Sequence, residues 1–250
     1  MPSYLVTGSS RGIGLGLVAE LLKDKKNVVI ATARNTAGSS GLQDLKAKHG
    51  DARFHLLDMD VIKLDSVHAA AEAAGKLLPS GLDHLISNAG VSYDASASWE
   101  DVNIEDFMAE MQFNLTSPIY LLREFLPLIR KGEAKKILIM TSSLGSVELA
   151  GYMTGLANTY SVAKASLNML IRKWSTTLKN DGITTFLLHP GWVGVTELGS
   201  KITNWMETYA PQVPSLTVAE SAAGCINVLN GVKPEDNGLY FSHDGTKLPW

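Results

Sequence analysis

The chain has 250 residues, 45% of them hydrophobic, and a formal charge of -3 at pH 7; it can bury one sizeable core, and its near-neutral balance gives no sign of a nucleic-acid or anionic-membrane partner. Its one cysteine, Cys225, excludes a disulfide framework or a cysteine metal site within the chain, and the histidines at 49, 55, 68, 84, 189 and 243 lack ligand spacing, so no metal is expected. The start MPSYLVTGSS has neither the basic opening nor the long apolar region of a signal peptide, and no apolar run approaches the ~18 residues of a membrane helix, so a cytoplasmic protein without a membrane partner is expected.

Short β-rich runs alternate with longer helical stretches. SYLVT (3–7) is predicted as a strand, followed by a helix from about Gly14 to Lys23. NVVIAT (27–32) is the second strand; the Gly/Ser turn NTAGSSG leads into a short helix, LQDLKAKHG. ARFHLLD (52–58) is the third strand, KLDSVHAAAEAAGKLL a helix, and LDHLIS (82–87) the fourth strand. NIEDFMAEMQFNLTSPIYLLREFLPLIRKG reads as one long helix bent near Pro118. KKILIMT (135–141) is the fifth strand. A long helix then opens in NTYSVAKASL and ends near Gly182. ITTFLLH (183–189) is the sixth strand, 191–215 one long irregular stretch, 217–230 a late helix that buries Cys225, and LYFS a short closing strand. Near-continuous apolar strands separated by helices indicate a doubly wound, mostly parallel sheet covered by helices on both faces, an α/β class of fold.

Two features carry chemistry. The first strand runs into TGSSRGIG, with Gly8, Gly12 and Gly14. A glycine-rich turn between a strand and a helix brings backbone N–H groups close to a ligand, and the helix N-terminus suits a pyrophosphate. By itself the turn could equally be a plain tight turn. Later, Tyr160 and Lys164 stand four residues apart, on one helix face with Cβ atoms ~6 Å apart. An ammonium beside a phenol favours the phenolate, which helps a group that must give or take a proton. Taken alone, the pair is also an ordinary helix pair.

The spacing Thr-Gly-x-x-x-Gly-x-Gly, together with YSVAK, resembles the short-chain dehydrogenase/reductase family over essentially the whole chain. The tail NGLYFSHDGTKLPW is similar to the subgroup that includes the C-factor and sniffer carbonyl reductases. The resemblance implies a single seven-stranded Rossmann domain over 1–250, with a substrate loop at about 191–215. It places Asn114, Ser143, Tyr160 and Lys164 at the family's catalytic positions, with Ser142 as the adjacent alternative to Ser143. Ser143 would hydrogen-bond a carbonyl oxygen, and Tyr160 would donate the proton. Lys164 and the nicotinamide charge would lower the phenol, and Asn114 would keep a water linking the lysine to solvent. The step from Ser143 to Tyr160 is a few residues longer than usual, and the insertion is expected over the substrate mouth.

The same resemblance implies the cofactor set: Gly8, Ser10, Arg11, Gly12, Ile13 and Gly14 in the first turn, and Asp60-Val61 at the adenine. Asn88, Ala89 and Gly90 follow the fourth strand, and Pro190, Gly191 and Val193 the sixth; the threonine expected soon after is displaced to Thr196 by two residues. Tyr160 and Lys164 also belong to this set. The second strand ends IATARN, without the carboxylate that would bind a ribose 2′-hydroxyl; Arg34 and Arg11 suit a 2′-phosphate instead, and the expected cofactor is NADP(H). Tyr93, Leu149, Met153, Leu156, Trp192, Trp205, Met206 and Tyr209 form an apolar, aromatic mouth, with Lys201 the one basic residue of 191–215. That mouth suits an uncharged carbonyl compound such as an aldehyde, diketone or quinone. A non-catalytic NADP-binding scaffold, or an isomerase or dehydratase on the same fold, are the alternatives. The family's pairing through two long helices implies a homodimer, with a monomer left open.

Overall fold

The computed structural model describes residues 1–250. Seven parallel strands form one sheet in the order β3-β2-β1-β4-β5-β6-β7: β1 (Ser3–Val6), β2 (Val28–Ala33), β3 (Phe54–Asp58), β4 (His84–Ser87), β5 (Lys136–Met140), β6 (Thr184–His189) and β7 (Tyr240–Ser242). β1 pairs with β2 on one side, Leu5 opposite Ile30, and with β4 on the other, Leu5 opposite Leu85. The chain therefore winds outward from β1 in both directions. Between β1 and β4 the order reverses, and in such sheets the crevice beyond the strands' carboxyl ends is where ligands bind.

Strand alternation explains the two cores. Val6, Ala31, Leu138 and Phe186 point to one face and pack under α1 (Gly12–Leu21) and the late C-terminal helix, together with Leu17, Leu21 and the buried Cys225. Leu5, Ile30, Leu85 and Ile137 point to the other face, under Val67 of α3 (Leu64–Leu77), Phe125 of α5 (Ser117–Lys131) and Ile171 of α6 (Asn158–Leu178). Each such side chain, fully removed from water, contributes about 1.5–3 kcal/mol. α2 (Ser40–His49) flanks the β3 edge.

The expected long helix is helical throughout from Ile104 to Lys131, and its irregularity near Pro118 is a π-helical turn, Gln112–Thr116, between α4 (Ile104–Met111) and α5. One prediction needs correction. The region 191–215 is not irregular throughout. It contains α7 (Glu197–Ser200) and α8 (Thr203–Tyr209), the first capped by the Thr196 hydroxyl, which accepts from the Gly199 N–H at 3.1 Å. α9 (Val218–Gly231) is the late helix and starts with a capping box between Thr217 and Glu220. No helix is long and apolar enough to cross a membrane.

Candidate active site

The first turn has the form of a cradle. Gly8 has φ +67°, and a Cβ there would stand 2.9 Å from the Cα of Ala89. A Cβ on Gly14 would run into the Gly8 carbonyl and lie 2.6 Å from Nδ2 of Asn88. The turn thus packs against the end of β4, and Asn88 staples the two together. Its Nδ2 donates to the Thr7 carbonyl at 2.9 Å, while the Thr7 hydroxyl accepts from the N–H groups of Asn88 and Ala89 at 3.0 and 3.1 Å. α1 starts directly from this turn without a side-chain cap, so its leading N–H groups are left for a ligand. Ser10 takes a hydrogen bond on its carbonyl from Ser39, and Ile13 packs onto the core. These features fit a dinucleotide's pyrophosphate.

At the end of β2, Arg34 is exposed and makes no ion pair. Arg11 is engaged: its guanidinium pairs with Glu197 of α7. Val61 is buried, while Asp60 pairs with Lys63 at 3.4 Å. Pro190 accepts on its carbonyl from the buried Ser221 hydroxyl at 2.6 Å, and Val193 is buried. Gly191 has φ +79° and lies against Leu216 and His243. Thr196, despite the two extra residues, returns to the first turn. Its methyl would stand 3.5 Å from a Cβ on Gly12, with its hydroxyl donating to Val193 O at 2.8 Å.

The four catalytic candidates come from three separate segments: Asn114 and Lys164 approach each other at Gly90, Tyr160 lies next to Lys164 on α6, and Ser143 stands on the turn after β5. Asn114, in the π-turn, is buried; its amide nitrogen donates to Val91 O at 3.0 Å and Glu110 O at 2.9 Å. A Cβ on Gly90 would stand 3.3 Å from Asn114 Oδ1 and 3.5 Å from Lys164 Nζ, so this glycine lets amide and ammonium approach. Lys164 is buried, donates to Met140 O at 3.2 Å, and lies 5.5 Å from the centre of the Tyr160 ring. Ser143 opens the short 3-10 turn Ser143–Gly145 after β5, and its hydroxyl makes no hydrogen bond within the protein. Ser142 is the structural partner: its hydroxyl accepts from the Leu144 N–H at 3.3 Å and its carbonyl from the Tyr240 hydroxyl at 2.5 Å.

In the chain without cofactor, burial first, and then Glu110, push the phenol of Tyr160 above the ordinary tyrosine value. Burial pulls Lys164 down to about 8. Tyr160 as a whole residue is part-buried.

The longer step into α6 is absorbed by a 3-10 turn, Leu149–Tyr152, and by Ala157, which enters the helix in the left-handed region with φ +47°. A non-glycine residue there costs roughly 1–2 kcal/mol, and the N–H of Ala157 is held by Ala95 O at 2.9 Å. Of the expected mouth residues, Tyr93 and Tyr209 are exposed and Leu149, Met153, Trp192 and Trp205 half-buried. Leu156 and Met206 are buried as packing and do not line an opening. The indole N–H groups are taken, Trp192 by Gly199 O at 3.0 Å and Trp205 by Thr154 O at 3.2 Å. Lys201 is also spoken for: its ammonium donates to Ser92 O and Tyr93 O.

Three contributors have no motif of their own. Asn168 and Tyr240 clamp the serine turn, Asn168 by donating to Gly145 O at 3.0 Å and accepting from the Thr141 hydroxyl at 2.6 Å. Glu110 is a fully buried carboxylate beside the proton-handling group. A groove of about 600 Å³ beside α9, lined in part by Asn227, Phe241 and His243, contains none of the candidate residues.

A doubly wound parallel sheet whose first turn, next to the switch point, has the form of a dinucleotide cradle defines a nucleotide-binding α/β fold. The chain belongs to the short chain dehydrogenase family, whose profile matches residues 3–207. It is 32% identical to an uncharacterised oxidoreductase of Schizosaccharomyces pombe over 255 residues, covering 99% of this chain and 97% of the relative. The NADPH-bound carbonyl reductase from chicken fatty liver is 31% identical with a TM-score of 0.86, covering 100% of this chain and 99% of that one. The carbonyl reductase Sniffer of D. melanogaster is 29% identical with a TM-score of 0.87, over 100% of both chains.

Proposed function

We propose that the protein is an NADP(H)-dependent carbonyl reductase acting on uncharged, apolar aldehydes, ketones or quinones. What supports this reading is the approach of Asn114 and Lys164 at Gly90, with the Tyr160 ring 5.5 Å from the ammonium and the Ser143 hydroxyl unpaired on the turn after β5. When bound, the nicotinamide supplies or accepts the hydride. Ser143, with its hydroxyl free of other partners, orients the carbonyl oxygen and stabilises the charge that develops there. Tyr160 donates its proton to that oxygen; its raised proton affinity suits an acid more than a base at neutral pH. Lys164, pulled down to about 8, exchanges a proton near neutral pH and would hydrogen-bond the ribose of a bound nicotinamide cofactor. Asn114, fixed by the π-turn, keeps a water at the ammonium. Arg34, unpaired at the end of β2, and Arg11 take the 2′-phosphate. The NADPH-bound relative supports that cofactor.

The test follows NADPH absorbance with wild type and Tyr160→Phe against a panel of aldehydes, diketones and quinones, with NADH in parallel. Turnover in wild type that falls at least ~100-fold in the variant is expected. Product formation without loss of NADPH would mark an isomerase or dehydratase, and no turnover despite tight NADPH binding a non-catalytic binder. Arg34→Ala is expected to erase most of the preference for NADPH over NADH; an unchanged preference removes the assignment of Arg34 to the 2′-phosphate.

A further inference from the structure

The longer step from Ser143 to Tyr160 carries two of the expected mouth residues, Leu149 and Met153, and has little of its own to hold it. Its 3-10 turn, Leu149–Tyr152, contains no buried residue, and Val147 and Tyr152 are exposed. Between Val147 and Gly155, two hydrogen bonds reach distant parts of the chain. The Thr154 carbonyl accepts from the Trp205 indole of α8 at 3.2 Å. The Glu148 N–H donates to the Trp250 carbonyl at 2.7 Å. The first tie belongs to the expected substrate loop; the second comes from the segment after β7, which the proposed chemistry leaves unused.

That segment folds back along its own edge strand. The Ser242 N–H donates to Thr246 O at 2.8 Å and the Leu248 N–H to Tyr240 O at 2.9 Å, with Phe241 opposite Lys247 in an antiparallel bridge. The return brings the Trp250 ring to the buried Tyr240 ring, their centres 5.8 Å apart. The Arg172 guanidinium of α6 lies 5.3 Å from the centre of the same indole, and donation to Gly238 O at 2.8 Å fixes the arginine in turn. The Tyr240 hydroxyl donates to the Ser142 carbonyl, next to Ser143. A hydrogen bond between two exposed segments orders neither of them, because water replaces it readily. Here the acceptor belongs to a residue whose side chain rests on an aromatic ring and a guanidinium, both good partners for an indole. The Glu148 N–H therefore meets a fixed point.

We propose that Trp250 is a positioning residue of the substrate cleft: anchored on Tyr240 and Arg172, it holds the Glu148 end of the segment that carries Leu149 and Met153, and so sets how well a ring-bearing carbonyl compound binds. This rests on the reading of the site as a carbonyl reductase. Binding to a mobile wall includes the loss of that wall's freedom, and a wall already fixed spares the substrate that loss. Without the clasp, each large substrate must order the segment itself, which weakens binding and leaves the reacting groups where they were. The signature is a raised KM with kcat little changed. A small substrate that meets only the groups around its carbonyl does not reach the wall and is indifferent to the clasp.

The test compares wild type, Trp250→Ala and Trp250→Phe with two diketones that differ by a ring, 2,3-butanedione and 1-phenyl-1,2-propanedione, or, where these are not turned over, with the smallest and the bulkiest panel compounds that are. Amide hydrogen exchange of the same three proteins, without substrate, reads the clasp directly. In Trp250→Ala the KM of the phenyl diketone is expected to rise about 5–10-fold, with its kcat, the KM of butanedione and NADPH affinity within about 2-fold of wild type. Exchange should quicken at least ~5-fold at Glu148 and through Leu149–Met153, and stay unchanged in β5 and β6. Trp250→Phe keeps an aromatic ring on Tyr240 and Arg172 and should restore most of both effects. Equal changes for the two diketones, or unchanged exchange at Glu148 in Trp250→Ala, overturn the role of Trp250 and leave the reductase reading intact. No turnover of any panel compound by wild type removes the reductase reading and this role with it.

Discussion

Replacing Lys164 with methionine should stabilise the protein while destroying its proposed activity. Lys164 is buried, with one carbonyl partner and an aromatic ring but no paired carboxylate. Burial lowers it from an ordinary 10.5 to about 8. At about 1.36 kcal/mol per pH unit, that fall corresponds to about 3 kcal/mol against folding below about pH 8, where the lysine is protonated in both states. Between about pH 8 and pH 10.5 the unfolded state holds the extra proton, so wild-type stability rises with pH there; below pH 8 the cost is fully in force. Methionine has a similar length, no charge, and fits an irregular apolar space. It forfeits the bond to Met140 O and the contact with the Tyr160 ring, worth about 1 kcal/mol together. The net expectation is a gain of about 2 kcal/mol near pH 7, or about 4–8 °C in melting temperature. The gain should fall to about 0.4 kcal/mol by pH 9.5, because the penalty on the folded lysine drops to about 1.4 kcal/mol while the forfeited contacts stay constant. Reversible urea unfolding of the apo protein at pH 6.5, 8.0 and 9.5 measures it. A methionine variant less stable than wild type at pH 6.5, or a difference that does not change with pH, would refute the reasoning.

Ser143→Ala should lower kcat by about 100-fold with little change in stability, because it removes one donor to a developing oxyanion. Ser142→Ala should do the reverse, costing about 1 kcal/mol through the lost cap on the Leu144 N–H and leaving kcat within a few-fold; a larger kcat loss in Ser142→Ala would exchange the two assignments. Glu197→Gln frees Arg11 from its ion pair, which is exposed and so worth no more than about 1 kcal/mol. NADPH, read by titration calorimetry, should then bind about 2–5-fold more tightly with NADH unchanged. Equal effects on both cofactors would mean that Arg11 does not meet the 2′-phosphate.

The sheet was legible because central parallel strands are buried on both faces, and ILIM and FLLH carry that burial in their composition. Glycine spacing was legible because only a residue without Cβ fits where Gly8 meets Ala89 and Gly14 meets the Gly8 carbonyl. Tyr160 and Lys164 were visible as a helical pair, but the direction of the phenol's shift was not. It depends on how much water reaches the hydroxyl and on Glu110, fifty residues away in the chain. Glu110 itself looks in the sequence like one more solvated charge after Glu105 and Asp106, which do lie in the exposed first turn of α4. The helices α7 and α8 were hidden because a four- and a seven-residue helix carry too few turns to set up a periodic pattern.

The π-turn joins these points. An extra residue in a helix rotates everything after it by about 100° relative to what comes before. Before the turn, α4 leaves Ile104 and Met108 exposed and turns Glu110 inward; after it, α5 buries Leu121, Leu122, Phe125 and Ile129 against the sheet. Ala157 does a comparable thing for α6, taking a left-handed backbone so that Tyr160 and Lys164 enter the cleft at the helix's first turns. The unpartnered Glu110 oxygen, the buried ammonium, the π-turn and the left-handed alanine each disfavour folding, and packing alone does not explain why they are kept.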